Sequence, residues 1–499
     1  MIIIFTPFSM IISMSPIILA LVVFLYFLIL LAVAWLTSRN SNNESFFIGN
    51  RNSNWVLVAF GMIGTSLSGV TFVSVPGGVA KDSFAYFQIT IGYFIGYIAI
   101  AYLLLPLYYR LQLTSIYHFL STRLGNVSYK TGASFFILSR TLGATARLYL
   151  VVNILQESIL QSFNIPFWVT TFIILMMIIF YTFKGGVKTI VWTDTLQTTC
   201  MLGGLIVCVI FILSQLHLSI PQSLEAMSAK GYTQVFFTNP ASKLFFVKQI
   251  IAGAFITLTM TGMDQEMMQK NISVKTLANS QKNVLSLSVI MLVVIMLFLF
   301  LGGLLYLYAD QLHISAVGDK LFPTIALHYM PPFVSIIFII ALISALFPSA
   351  DGAITALTSS FCIDLLAINT KPQLTDAAKK RTRQIVHLSF AFIFLFFVMI
   401  YKWCNNPSMI GVILKIAAYT YGPLLGLFAF SMLTKKEVQD KLVPIVCILS
   451  PIACYFIDMY QEQLFGNFKI GLELLLINGF FTFLGLNIIS KPALARKLK

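Results

Sequence analysis

Charge is what this sequence has least of. Only 10% of its 499 residues are Asp, Glu, Lys or Arg, against about 25% in an ordinary soluble domain. With 58% apolar residues, a water-soluble globule would lack the polar groups to cover its surface, and an unfolded chain is excluded by the same numbers. Acid is scarcer than base: 17 Asp and Glu stand against 32 Lys and Arg, a net charge of +15. In a soluble protein that excess suggests nucleic acid. In an apolar chain it reads as basic cytoplasmic loops, and no nucleic-acid partner is needed.

Cysteine is sparse and unpatterned. Cys200, Cys208, Cys362, Cys404, Cys447 and Cys454 form no C-x-x-C pair, so neither a metal site nor a disulfide framework is expected, and the thiols read as small apolar side chains. No H-E-x-x-H or G-x-S-x-G string occurs and the five histidines are scattered, so the chain is not expected to be an enzyme. No feature points to a protein partner or an organic cofactor.

What the sequence does have is long apolar runs, and the lipid bilayer is the partner they imply. A membrane-crossing helix needs roughly 20 mostly apolar residues. About thirteen segments qualify: 17–37, 55–77, 85–109, 131–156, 166–183, 191–214, 245–268, 284–308, 333–366, 386–403, 408–433, 442–458 and 470–490. The fold expected is an all-α integral membrane protein forming one membrane domain over 1–499. Residues 1–36 run without a charge, longer than one span requires, and Met14 offers a second start just before the helix. With the N-terminus outside, inside loops hold about 22 Lys and Arg and outside loops about 7, which predicts an N-out, C-in protein of the plasma or inner membrane. That count places Arg110, Arg123, Lys130 and Lys270 in inside loops.

Ionisable residues inside spans are costly, roughly 2.5–3.5 kcal/mol each on insertion scales, and are functional candidates by default. Arg140 and Arg147 are seven apart in one span and share a face. Asp194 falls near the start of 191–214, and Asp351 mid-way along 333–366. Asp264 and Glu266 are expected at a cytoplasmic boundary, and Arg140 or Arg147 is expected to pair with Asp194 or Asp351. The spans 55–77 and 245–268 carry glycine and hydroxyl residues throughout: Gly61, Gly64 and Gly69 in one, Gly253 and Gly262 in the other. They sit five apart in order, the mark of an inverted-repeat secondary transporter whose binding site lies where helices unwind.

Four strings carry a family resemblance. GGVKTIVWTDTLQ (Gly185 to Gln197), LTSIYHFLSTRLG (Leu113 to Gly125), SFFIGNRNSNW (Ser45 to Trp55) and TGMDQEMMQKN (Thr261 to Asn271) resemble, in order, motifs of the sodium/solute symporter family. The resemblance implies a leucine-transporter-type core of five plus five inverted repeats, 55–214 and 245–433. Its first and sixth core helices are discontinuous; helix 17–37 precedes the core and two helices, 442–490, follow it. It also implies sodium-driven uptake of a small organic solute. By motif, sodium would meet the carbonyls of Gly64 and Leu67 and, from the eighth core span, Ala345 and Ser349. Pro348 stands where the family usually has a hydroxyl, and its ring frees the carbonyl of Ser344. Asp194 matches an aspartate of a second sodium site, and Asp351 a position that is usually Ser. Their shared partner is open between sodium, a proton and Arg140; a proton would make the chain a proton-coupled transporter. Substrate positions fall on Ser68, Val70, Thr71, Thr90, Thr257 and Met260. They offer a sugar few strong partners, whereas Arg147 suits a carboxylate, pointing to a small organic anion. Tyr419 and Tyr421 either line the cavity or sit at the lipid interface.

Overall fold

The computed structural model describes residues 15–38, 43–371, 373–404 and 409–492; Met14 and the basic residues after 492 lie outside them. The spans are α1 (Pro16–Thr37), α2 (Trp55–Gly77), α3 (Tyr86–Arg110), α4 (Asn126–Phe163), α5 (Phe167–Phe183), α6 (Val187–Leu216), α7 (Phe246–Gly262) with α8 (Gln265–Ile272), α9 (Leu277–Gln311), α10 (Pro332–Leu365), α11 (Asp376–Cys404), α12 (Met409–Thr420) with α13 (Gly422–Leu433), α14 (Val443–Met459) and α15 (Leu474–Ile488). By length and hydropathy nine helices among the described residues are able to cross a membrane, or eleven with each bent pair taken as one span. α5 and α15 are apolar but shorter, so the thirteen spans expected from sequence stand against nine to eleven helices of membrane-crossing length among the described residues.

Packing partners come in matched sets. α3 packs on α7 as α2 packs on α9; α6 packs on α10 as α4 packs on α12; α4 meets α11 as α10 meets α5. If α2–α6 and α7–α13 are two copies of one five-span unit, each pair maps onto its mate, which is the packing an inverted repeat produces. α2 and α10 are the most buried helices, whereas α1 and α14 leave most of their surface outside the bundle and present Leu21, Phe24, Leu449 and Phe456 there, side chains that suit lipid. Phe72 of α2 stacks on Phe322 with ring centroids 5.3 Å apart and meets Phe298 and Phe338 of α9 and α10, fixing the second half of α2.

Helix limits follow local chemistry. Asn54 caps α2 by accepting from the Val56 amide at 2.9 Å, and Asp264 caps α8 by accepting from the amides of Glu266 and Met267. Gly186 joins α5 to α6 at φ +52°, ψ −139° with Phe46 filling the space of any side chain, so only glycine serves there. α6 starts at Val187, not 191, which puts Asp194 two turns into the helix rather than at its start.

Both expected discontinuities are present, the first at a serine and the second running through Gly262. α2 breaks at Ser68 (φ 44°, ψ 164°). α7 loosens into a π turn over Leu258–Gly262 and then bends 67° into α8 at Met263 and Asp264. A third bend, 43° at Tyr421, separates α12 from α13. Other glycines let helices touch: a Cβ on Gly253 would lie 3.1 Å from Gly92 Cα of α3.

Candidate functional site

The break in α2 and the loosened end of α7 border one cavity of about 100 Å³, which α12 closes with Ile410, Ile413 and Leu414. α2 contributes Leu67, Ser68, Val70 and Thr71 to its wall, α7 contributes Thr257 and Met260, and α4 contributes Arg140 and Arg147. Of the residues singled out for the solute, Thr90 alone is elsewhere. It is buried and its hydroxyl donates to the Tyr86 carbonyl of its own helix at 3.2 Å. The longer Tyr86, Tyr93 and Tyr97 of the same helix reach the cavity instead. Their phenols went unnoticed in the sequence, although the 7 and 4 spacing puts them on one face.

Ser68 holds the cavity's floor through its backbone. Its φ/ψ cannot continue the α ladder, so the carbonyls immediately before it, Leu67 among them, lose their helical donors. Opposite runs α10. A Cβ on Gly64 would stand 3.5 Å from Pro348 Cγ, and one on Gly69 would stand 3.6 Å from Leu346 Cα. The structure therefore brings Gly64 and Gly69 against the Ala345–Ser349 turn, with the buried Leu67 between them in α2. Ser349 donates to the Leu346 carbonyl at 2.8 Å, which leaves its oxygen lone pairs free to accept a cation. No cluster of three or more His, Cys, Asp or Glu suited to a metal occurs among the described residues; hydroxyl and carbonyl oxygens are the donors here, a set suited to a hard cation.

Beside the cavity lies a buried network of ion pairs that corrects several expectations. Arg140 pairs with Glu266 and stands 3.9 Å from Asp264, not with Asp194 or Asp351. Asp264 also accepts from Tyr421 Oη at 2.7 Å. Asp264 and Glu266 are thus buried within the bundle beside Arg140, and Tyr421 is buried away from lipid. Tyr419 donates to Asp458 at 2.8 Å, where Lys415 also pairs.

The largest correction is Lys270. Loop counting placed it in the cytoplasm; it is buried on α8, with its ammonium 2.7 Å from Asp194 Oδ2 and 2.6 Å from Thr65 Oγ1. The side-chain partner of Asp194 is therefore Lys270, not Arg140. Asp351 interacts electrostatically with both Asp194 and Lys270, so the two carboxylates do share a neighbourhood, and Tyr181 Oη donates to Asp351 at 2.6 Å. Lys270 was hidden because a charge beside a polar helix end looks like a loop; its four-residue spacing from Glu266 was the available signal. Arg147 differs from Arg140 and Lys270: it makes no ion pair among the described residues while lining the cavity.

The family model described as "Sodium:solute symporter family" matches residues 46–440. Sodium-coupled monocarboxylate transporter 1 of Mus musculus is 25% identical over 405 residues, 78% of this chain and 64% of that one. The sodium/iodide cotransporter of Homo sapiens is 23% identical over 405 residues, 78% of this chain and 61% of that one. The chain thus spans less than two thirds of the length of these two relatives. A Na+-coupled sialic acid symporter, solved in a substrate-bound outward-open state, superposes with a TM-score of 0.82 at 19% identity, covering 95% of this chain and 99% of that one. A nucleobase-cation-symport-1 family transporter superposes with a TM-score of 0.53 at 13% identity, covering 89% and 93%. At these identities the two structures show the shared fold.

Proposed function

Since this chain belongs to the sodium:solute symporter family, we propose that it couples sodium entry to uptake of a small organic anion across the plasma or inner membrane by alternating access. The N-terminus lies outside and the C-terminus in the cytoplasm, the arrangement that keeps most loop Lys and Arg inside. Sodium is held by the carbonyls of Gly64 and Leu67, the carbonyl of Ala345 and the hydroxyl of Ser349, where the break in α2 faces α10. The solute sits one turn away, between Ser68, Thr71, Thr257 and Met260.

One observation carries the solute class: Arg147 faces the cavity with no carboxylate partner among the described residues. A guanidinium with no ion pair of its own in a half-buried wall is stabilised by an anion, and its fork fits a carboxylate bidentately. The tyrosine hydroxyls around it supply further donors. The cavity is small beside the roughly 300–1,000 Å³ of drug-sized sites, which favours a solute of few atoms. The names of the two relatives, monocarboxylate and iodide transporters, agree with an anion.

The test is a melting-temperature screen of short carboxylates, neutral sugars and amides, each in sodium and in choline. A carboxylate that stabilises only in sodium is expected. Arg147→Lys keeps the charge but loses the fork, and should weaken that solute by about tenfold. A neutral solute that works equally well on Arg147→Lys sinks the anion assignment.

Asp351 supports a second reading. It is buried, it forms no ion pair among the described residues, and its Oδ1 has no hydrogen-bond partner. A proton bound there would make uptake respond to pH, and Asp351→Ser would abolish that response. A pH profile shared by wild type and Asp351→Ser excludes this reading.

A further inference from the structure

α1 is hydrocarbon almost throughout. From Pro16 to Val33 the phenol of Tyr26 is the sole side chain with a hydrogen-bonding group. Leu25, Leu28 and Ile29 are exposed on the bundle surface, whereas Tyr26 is buried with Leu19, Phe27 and Leu30 where α1 packs on α6 and α10. Tyr26 Oη lies 2.6 Å from Ser344 Oγ of α10 in a buried hydrogen bond, and Cys200 of α6 also interacts with the phenol. A hydroxyl buried among hydrocarbon side chains is costly unless it is bonded, so this bond fixes which face α1 turns to the core and what it touches there.

Ser344 marks the place where α10 is held least by its own backbone. Pro348 has no N–H to give the Ser344 carbonyl, so the turn from 344 to 348 lacks its ladder bond. The same turn carries the carbonyl of Ala345 and leads to the hydroxyl of Ser349, the α10 half of the sodium site. A turn without that bond is free to flex, and its oxygens shift with it. We propose that Tyr26 is a positioning residue for sodium: by holding Ser344 from outside the two repeats, its phenol keeps the loosened turn of α10 aligned with the break in α2. α1 thereby sets the affinity for the coupling ion without touching it. The proposal rests on the sodium-coupled reading.

The experiment measures equilibrium binding of radioactive sodium, without solute, to the purified full-length protein and to its Tyr26→Phe, Ser344→Ala and doubly substituted variants. Melting in choline, where no sodium is bound, reports any loss of stability separately. Tyr26→Phe should weaken sodium binding by about fivefold, as expected for the loss of one hydrogen bond. Ser344→Ala should weaken it to the same extent, and the double variant should bind no worse than either single one, since the two changes remove one shared bond. A folded Tyr26→Phe protein with wild-type sodium affinity overturns the proposal, whatever its melting temperature in choline. So do losses of affinity that add in the double variant. A Tyr26→Phe protein that fails to fold also overturns it, because the phenol would then hold the fold and not the site. A wild type that binds no sodium instead overturns the sodium-coupled reading itself.

Discussion

A hydroxyl in the right place matters more here than a charge. Ser349 holds its proton on the Leu346 carbonyl, so its oxygen is free to accept, and Pro348 beside it has no hydroxyl to share the task. Ser349→Ala should therefore raise the sodium concentration for half-maximal binding by about tenfold, since one lost ligand costs roughly 1–3 kcal/mol. Sodium-dependent melting reads this directly, and an unchanged midpoint would remove Ser349 from the site. The residues of this kind come from the family resemblance rather than from spacing; the structure puts Ser68, Thr71, Thr257 and Met260 on the cavity wall and Ala345 and Ser349, four apart, in one buried turn of α10. Thr90 was misplaced because a short hydroxyl buried on a helix bonds its own backbone as readily as it faces a cavity. Arg140, Asp264 and Lys270 were visible as charges, but their partners lie on other helices, and sequence separation carries no information about which meets which.

At the scale of an element, the break in α2 depends on a serine held where serine is strained. Its φ of 44° with ψ of 164° lies in a region that glycine enters freely and other residues enter at a cost of about 1–3 kcal/mol. Ser68→Gly should therefore be at least as stable as wild type, while Ser68→Val should lose roughly 1–3 kcal/mol. Chemical denaturation of the two variants side by side decides it: equal losses would mean that the side chain, not the backbone, matters at this position. The three flanking glycines misled the reading of where the helix yields, because small residues serve close packing as well as unwinding. Gly92 and Gly253 show the packing use. A side chain on Gly253 would press into Gly92 Cα and the carbonyl of Ile89, and Gly253→Val should cost about 1–3 kcal/mol by forcing α3 from α7. A Gly253→Val protein that melts like wild type would show that this contact has slack. The bend at Tyr421 had no sequence signal beyond Gly422 and Pro423, which follow it.

At the scale of the whole molecule, the packing of α2–α6 matches that of α7–α13, and the two sets of helices meet at a line of buried charge. Hydropathy made the spans legible and the motifs made the repeat legible, since both are local patterns. The line of charge was not legible, for it exists only once α4, α6, α8 and the bend at Tyr421 are packed together: Asp194 with Lys270, Glu266 with Arg140, Asp264 with Arg140 and Tyr421. Its energetics follow from burial. Taking both members of such a pair out of water is so costly that the pair adds little net stability, yet removing one member strands the other. Glu266→Met leaves Arg140 with only the more distant Asp264, and leaves Lys270 with Asp194 alone. It should destabilise the fold by about 3–5 kcal/mol. Adding Arg140→Met should recover most of that loss, because the stranded charge goes with it, and the two changes should be strongly non-additive since the groups touch. Thermal melting of the two single variants and the double variant, in sodium throughout, gives the cycle. Additive losses would mean that the two side chains act independently, and that packing of the helices, rather than this line of charge, determines how the two sets of helices sit against each other.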